Sequence, residues 1–329
     1  MISRLAIVCS AHGFGHLTRQ LAVAERLRAL GVEPTIFTAA PRVVVEGTLP
    51  GARVVPWTAD VGVAQADSVT EDVPRTRALL AERCADGRID ALARALSGFE
   101  RVVVDTAPPA LEAARRAGVE AVAVGNFDWA WIYGRYPALA DWAERFAIWQ
   151  APHRAAQLWP GPGMRGFAEV RRFGLIGRRR PAVRLAPRAA LVSFGGFGLA
   201  DLDARLPRID GLTWVLAPPM PPLERPDAVH APPDVPYPAL VAGADVVLTK
   251  PGYGIFAEAA LAGTRLIWIP RGAFPEAPWL EEAMRARGDR QAKGDLTAAL
   301  QARLADPAPP PVEADAVDAL ARWLVDLPD

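Results

Sequence analysis

Cysteine is almost missing: Cys9 and Cys84 are the two in 329 residues, distant from each other and at no metal or redox spacing. That excludes a disulfide framework and a cysteine zinc site, and leaves two reduced thiols. Net charge is missing too, since 37 basic residues balance 37 acidic ones. Nucleic acid is therefore not expected as the main partner. No apolar run reaches the roughly 18 residues that a membrane-spanning helix needs. Met1-Ile2-Ser3-Arg4 leads straight into an apolar stretch, so no secretory signal is expected and the expected location is cytoplasmic. Lysine is scarce: Lys250 and Lys293 stand among arginines, a bias that reads as genome composition. No repeat of solenoid period is present.

What is there is apolar and alternating. At 51% hydrophobic residues, the chain can bury two cores of ordinary size. Leu5-Ala6-Ile7-Val8-Cys9 reads as a buried strand, and Leu17 to Leu30 as a helix ended by Gly31. Strands are expected at Glu33 to Thr38, Ala52 to Pro56, Arg101 to Asp105 and Glu120 to Val124, with one or two helices between Arg75 and Leu96. This strand–helix alternation predicts a parallel sheet wound on both faces. From Asn126 to Trp159 aromatic residues crowd together, as core or as a flat binding platform. The arginines at Arg171-Arg172 and Arg178-Arg179-Arg180 read as a solvated linker or a membrane-attracted patch, and the domain boundary is placed near Arg180. A second alternation runs from Ala189-Ala190-Leu191-Val192-Ser193 and ends, past the spacer Asp306 to Pro311, in an amphipathic helix from Asp315 to Leu327.

The most informative stretch is Val246-Val247-Leu248-Thr249-Lys250-Pro251-Gly252-Tyr253-Gly254-Ile255-Phe256-Ala257-Glu258. It reads as strand, glycine turn and helix, which puts free backbone N–H groups and a positive dipole end together as an anion site. Gly252 and Gly254 allow close backbone approach, Lys250 adds a charge, and Glu258 falls about a turn into the helix, where it can accept from ribose hydroxyls. The plainer reading is an ordinary βα turn.

Continued through Gly263 to Pro270, this stretch resembles the nucleotide-sugar signature of GT-B glycosyltransferases. From Ala11-His12-Gly13-Phe14-Gly15-His16 to Phe274-Pro275-Glu276-Ala277-Pro278-Trp279, nearly the whole chain resembles the glycosyltransferase-like N-terminal region of plant L-arabinokinases and related stand-alone bacterial proteins. The resemblance implies an α/β fold of two Rossmann-like doubly wound domains facing each other across a cleft. The expected divisions are an acceptor domain over residues 1–180, a nucleotide-sugar domain over 181–312 and a terminal segment, 313–329, packing back on the first.

It also implies roles. His16 stands where many inverting enzymes keep the general base, and an unperturbed imidazole suits proton removal at neutral pH. Asp105, at the carboxyl end of a strand, is the expected orienting acid; the plainer reading makes both residues helix caps. Gly15, Ser193, Gly195, Gly196, Val235, Tyr237, Lys250, Gly252, Tyr253, Gly254, Glu258 and Glu276 are the expected donor contacts, with Val235 and Tyr237 at the nucleobase and Glu276 at the sugar. His12, Asn126, Asp128 and Trp129 are the candidate acceptor contacts. His12 and His16 are four apart, but Gly13 and Gly15 argue for a loop and no third ligand is evident, so no metal and no cofactor are expected. Asp201-Leu202-Asp203 reads as helix-capping aspartates rather than a metal-binding pair. Lys250, where retaining families commonly carry glutamate, favours inversion. The expectation is an inverting, metal-independent glycosyltransferase using a UDP- or dTDP-sugar and a small-molecule, lipid or glycan acceptor. A nucleotide-sugar 2-epimerase or hydrolase, or a non-catalytic sugar-nucleotide sensor or partner subunit, remains open beside it.

Overall fold

Short runs of β-branched and small apolar residues become strands buried on both faces, which a fully parallel sheet requires. Val102, Val103 and Val104 are an example, each without exposed surface. The computed structural model describes residues 2–10, 14–64, 71–194, 202–218, 220–270, 274–313 and 316–327. They fall into two units, Met1–Ile176 with Ala316–Asp329, and Gly177–Asp315.

The first unit holds seven parallel strands: β1 (Leu5–Cys9), β2 (Thr35–Thr38), β3 (Val54–Pro56), β4 (Arg101–Asp105), β5 (Glu120–Gly125), β6 (Arg154–Leu158) and β7 (Glu169–Phe173). Their spatial order is β3-β2-β1-β4-β5-β6-β7, so the direction of winding reverses between β1 and β4. Cys9 lies beside Asp105 in that pair. β6 and β7 went unpredicted. Arg-Ala-Ala-Gln-Leu has no β-branched residue, and four of the five residues of β7 are exposed at the sheet edge. The first helix spans Phe14–Ala29, starting before the expected Leu17, so Gly15 and His16 belong to its first turn. Burial of Leu17 and Leu21 outweighs the poor helix propensity of glycine, about 1 kcal/mol per residue.

The last helix, Val317–Asp326, packs against the first through Leu320, Ala321 and Leu324, all fully buried. Arg101 is buried beneath it, donating to the carbonyl of Leu327 at 3.0 Å and to Glu120 at 2.7 Å. Most of the aromatic segment is core, although Trp159 is 52% exposed. Phe127, Trp129, Tyr133, Phe146 and Trp149 form a chain of ring contacts 5.3–5.5 Å apart.

The second unit holds six parallel strands: β8 (Ala189–Ser193), β9 (Thr213–Leu216), β10 (Ala228–His230), β11 (Val246–Thr249), β12 (Arg265–Trp268) and β13 (Arg290–Gln291). Their order, β10-β9-β8-β11-β12-β13, reverses between β8 and β11, where Ser193 pairs with Thr249. The division at Ile176–Gly177 falls before the arginine run rather than within it. Arg178 and Arg179 are bonded inside the second unit, to Glu258 at 2.8 Å and to the carbonyls of Leu261 and Glu313 at 3.3 and 2.8 Å. The run is therefore tied structure, not a solvated linker.

Candidate active site

Parallel doubly wound sheets leave a crevice at the carboxyl ends of the strands where the winding reverses. In the first unit that position belongs to β1 and β4, and it gathers His16, Arg19, Gln20, Asp105 and Thr106. Asp105 is fully buried. Its Oδ1 lies 2.9 Å from His16 Nδ1 and accepts from Thr106 Oγ1 at 3.1 Å. Its Oδ2 accepts from Arg19 Nε at 2.6 Å and Gln20 Nε2 at 2.7 Å, and a second Arg19 nitrogen bonds Oδ1. Burial is the largest single influence on this carboxyl and opposes ionisation. The charge and hydrogen bonds of Arg19, with those of His16, outweigh it and hold Asp105 well below the usual carboxylate range. Thr106 reaches the group from a left-handed backbone conformation, φ 46°, which is uncommon for a β-branched residue.

His16 Nδ1 therefore has three neighbours: Asp105 Oδ1, Arg19 at 3.0 Å and Thr106 Oγ1 at 3.1 Å. The anionic carboxylate favours a proton on Nδ1, while Arg19, which can only donate, favours a bare nitrogen there. With the proton on Nδ1, Nε2 is an acceptor, and among the described residues it carries no hydrogen bond. The ring is 15% exposed, enough for a reacting group to reach it.

The candidate acceptor contacts are otherwise committed. Asn126 is buried; its Oδ1 accepts from Arg19 and its Nδ2 donates to the carbonyl of Pro160 at 2.7 Å. Asp128 caps the helix Trp129–Tyr133 through Trp131 N at 2.7 Å and also accepts from Arg165 N at 3.0 Å. Trp129 is 3% exposed within the ring chain. These three serve the interior rather than an open surface. His12, Gly195, Gly196 and Asp201 lie outside the described residues. Asp203 pairs with Arg225 at 3.3 Å on the surface. Among the described residues no three of His, Cys, Asp and Glu stand together as metal ligands.

In the second unit the reversal point gathers several expected donor contacts. Tyr237 donates to Ser193 Oγ at 2.5 Å, and Thr249 Oγ1 donates to the Ser193 carbonyl at 2.7 Å. Lys250 follows β11, and Gly252 is the N-cap of the helix Tyr253–Ala262. Gly254 lies in its first turn, and Phe256 N is the first to bond back, to the Gly252 carbonyl at 3.0 Å. Glu258 is 5% exposed and is bound by Arg178 at 2.7 Å. Burial pushes its carboxyl above the ordinary glutamate range, an effect that Arg178 only partly offsets. Val235 closes a turn onto the Pro232 carbonyl at 3.2 Å, and Glu276 is the N-cap of the helix Ala277–Ala286.

Arg19, Gln20, Thr106 and Arg178 escaped the sequence reading. Arg19 and Gln20 stand three and four residues after His16, so helical spacing places them on its face. That signal was legible once the helix was extended. Nothing in the sequence separates Arg178 from Arg179 and Arg180.

Two parallel sheets that each reverse at a central strand pair define the GT-B fold of glycosyltransferases, and solved structures carry it over their full length. The glycosyltransferase of kitacinnamycin superposes with a TM-score of 0.65 at 20% identity, covering 98% of this chain and 95% of its own. A UDP-glucosyltransferase from Polygonum tinctorium gives 0.61 at 16% identity, over 98% and 93%. In sequence, L-arabinokinase of Arabidopsis thaliana is 28% identical over 309 residues, 85% of this chain but 29% of that protein. The chain thus spans under a third of this curated relative. No known family profile matches it.

Proposed function

We propose that the protein is an inverting, metal-independent glycosyltransferase that moves a sugar from a nucleotide-sugar donor to an acceptor hydroxyl. The observation that carries this reading is the 2.9 Å bond between His16 Nδ1 and Asp105 Oδ1 at the point of strand reversal. His16 Nε2 takes the acceptor proton as the new glycosidic bond forms, and Asp105 fixes the ring tautomer and balances the imidazolium. Because Arg19 already neutralises much of Asp105, orientation outweighs charge in that balance. In the second unit, Lys250 and the N-terminal end of the helix Tyr253–Ala262 take the diphosphate, whose departing charge they stabilise. Glu258 meets the ribose, Tyr237 and Val235 the base, and Glu276 the sugar. UDP and dTDP are the proposed carriers, in keeping with the UDP-glucosyltransferase among the similar folds.

The test is turnover of His16→Ala and Asp105→Asn with a UDP- or dTDP-sugar and an acceptor panel. A general base contributes about a hundredfold to ten-thousandfold, so His16→Ala should lose that much. Asp105→Asn should lose nearly as much, since a neutral partner lets Arg19 donate to a bare Nδ1 and leaves the proton on Nε2. Wild-type rates in a folded His16→Ala variant would sink the assignment. Donor turnover without any acceptor would favour the epimerase or hydrolase instead.

A further inference from the structure

Thr106 stands where a left-handed backbone is least expected. Among the described residues it alone, glycine apart, has a positive φ, and its side chain is β-branched. Such a conformation is unfavourable and persists only where the surroundings enforce it. Here the chain leaves β4 at Asp105 and enters the helix Pro108–Ala117 with two residues between. Glycine or asparagine would make that turn with less strain. The methyl of Thr106 also fills a niche that glycine at position 125 leaves open. A Cβ on Gly125 would stand 2.7 Å from Thr106 Cγ2 and 2.9 Å from the Phe127 carbonyl oxygen. A β-branched side chain is stiff about χ1, so a seated methyl also fixes the hydroxyl. Oγ1 is thereby held 3.1 Å from His16 Nδ1 and 3.1 Å from Asp105 Oδ1. Strained backbone and shaped niche both serve this one hydroxyl.

A hydroxyl has one proton to donate and lone pairs with which to accept. Despite its burial, Asp105 is held ionised by Arg19 and His16. An anionic oxygen draws the hydroxyl proton more strongly than a neutral imidazole nitrogen does. With that proton turned toward Oδ1, Thr106 Oγ1 presents only lone pairs to His16 Nδ1. The nitrogen must then carry a proton of its own. Arg19 pulls the other way: it lies 3.0 Å from the same nitrogen and can only donate. It also bonds Asp105 Oδ1, so that the carboxylate is shared between the ring and the guanidinium. We propose that Thr106 is the positioning residue that decides this contest in favour of Asp105. Its hydroxyl, turned to Oδ1, keeps the proton on His16 Nδ1 and leaves Nε2 as the bare nitrogen that meets an acceptor hydroxyl. The inference rests on the transferase reading for the use of Nε2, but not for the tautomer.

The experiment is nitrogen NMR of the four histidine rings at alkaline pH, where they are neutral, with His16 assigned by its loss in His16→Ala. Wild type should show a protonated Nδ1 and a bare Nε2 on His16. Thr106→Val keeps the strain and removes the hydroxyl; Thr106→Gly removes both. Each should move the tautomer balance toward a proton on Nε2 by about tenfold or more, the order of one hydrogen bond to a charged group. Thr106→Ser keeps the hydroxyl and should stay within about twofold of wild type. A merely structural role would separate Thr106→Val from Thr106→Gly by backbone strain, and would not set Thr106→Ser apart from both. A wild-type proton on Nε2, an unmoved balance in either Thr106→Val or Thr106→Gly, or a Thr106→Ser protein that behaves like them would each overturn the proposal. Turnover of a UDP- or dTDP-sugar with the acceptor panel, measured on wild type, decides the transferase reading separately.

Discussion

At the scale of single residues, Asp60 is a buried carboxyl kept at a cost to the fold. An aspartate with an ordinary value of 3.8 is lifted to about 6 in the folded chain, mainly by burial. The folded state then binds the proton more tightly than the unfolded one between those values, so stability falls as pH rises through that window and stays lower above it. That rise corresponds to about 3 kcal/mol at neutral pH. Asp60→Asn removes this cost without changing the shape. It should melt above wild type at pH 7.5, with the gap closing toward pH 4. His153, whose buried imidazole is held below its usual range, weakens the fold as pH falls below about 6.5, but in both proteins alike. Paired melting curves at three pH values check this, and a wild type that melts higher at pH 7.5 would refute it.

At the scale of elements, the helix Tyr253–Ala262 is fixed from within by the Arg178–Glu258 pair. Both side chains are buried, at 8% and 5% exposure. Removing one partner of such a pair leaves an uncompensated charge and costs about 3–5 kcal/mol. Glu258→Ala should therefore lower the melting temperature and, on the proposed ribose contact, weaken UDP binding by about 1–3 kcal/mol. Changing Arg178 to methionine as well should recover part of the stability but none of the affinity. Calorimetry that finds UDP affinity unchanged in a folded Glu258→Ala protein would remove Glu258 from the donor site. The sequence located this helix because apolar strand, glycine turn and helix formers follow each other within a few residues. It could not show Arg178, which lies 80 positions away.

At the scale of the whole molecule, each unit has its own parallel sheet and its own buried core. Ligand bound to the folded second unit should raise its apparent stability by mass action, about 2.7 kcal/mol at a hundred times the dissociation constant. UDP or dTDP should thus raise the melting temperature, and the shift and any turnover should survive EDTA. A shift that needs magnesium or manganese would bring Asp201 and Asp203 back as metal ligands.

Whatever depends on neighbours in sequence was legible: the two alternations, the glycine turn at Gly252, and Asp105 at the end of a strand. Such features follow from local periodicity and turn chemistry, which a few adjacent residues determine. The strands β6 and β7 were not legible, because exposed or small residues give no strand signal and only pairing, β6 with β5 and β7 with β6, makes them strands. The same holds for the aromatic segment, whose rings read equally as platform or core until their contacts with one another decided it. His16 and Asp105 were paired by resemblance, 89 residues apart, and the sheet order put them at one crevice. The tertiary structure alone added Arg19 to that pair, buried Asp60, and tied Arg178 to Glu258. Burial and charge across distant segments have no signature in a linear chain.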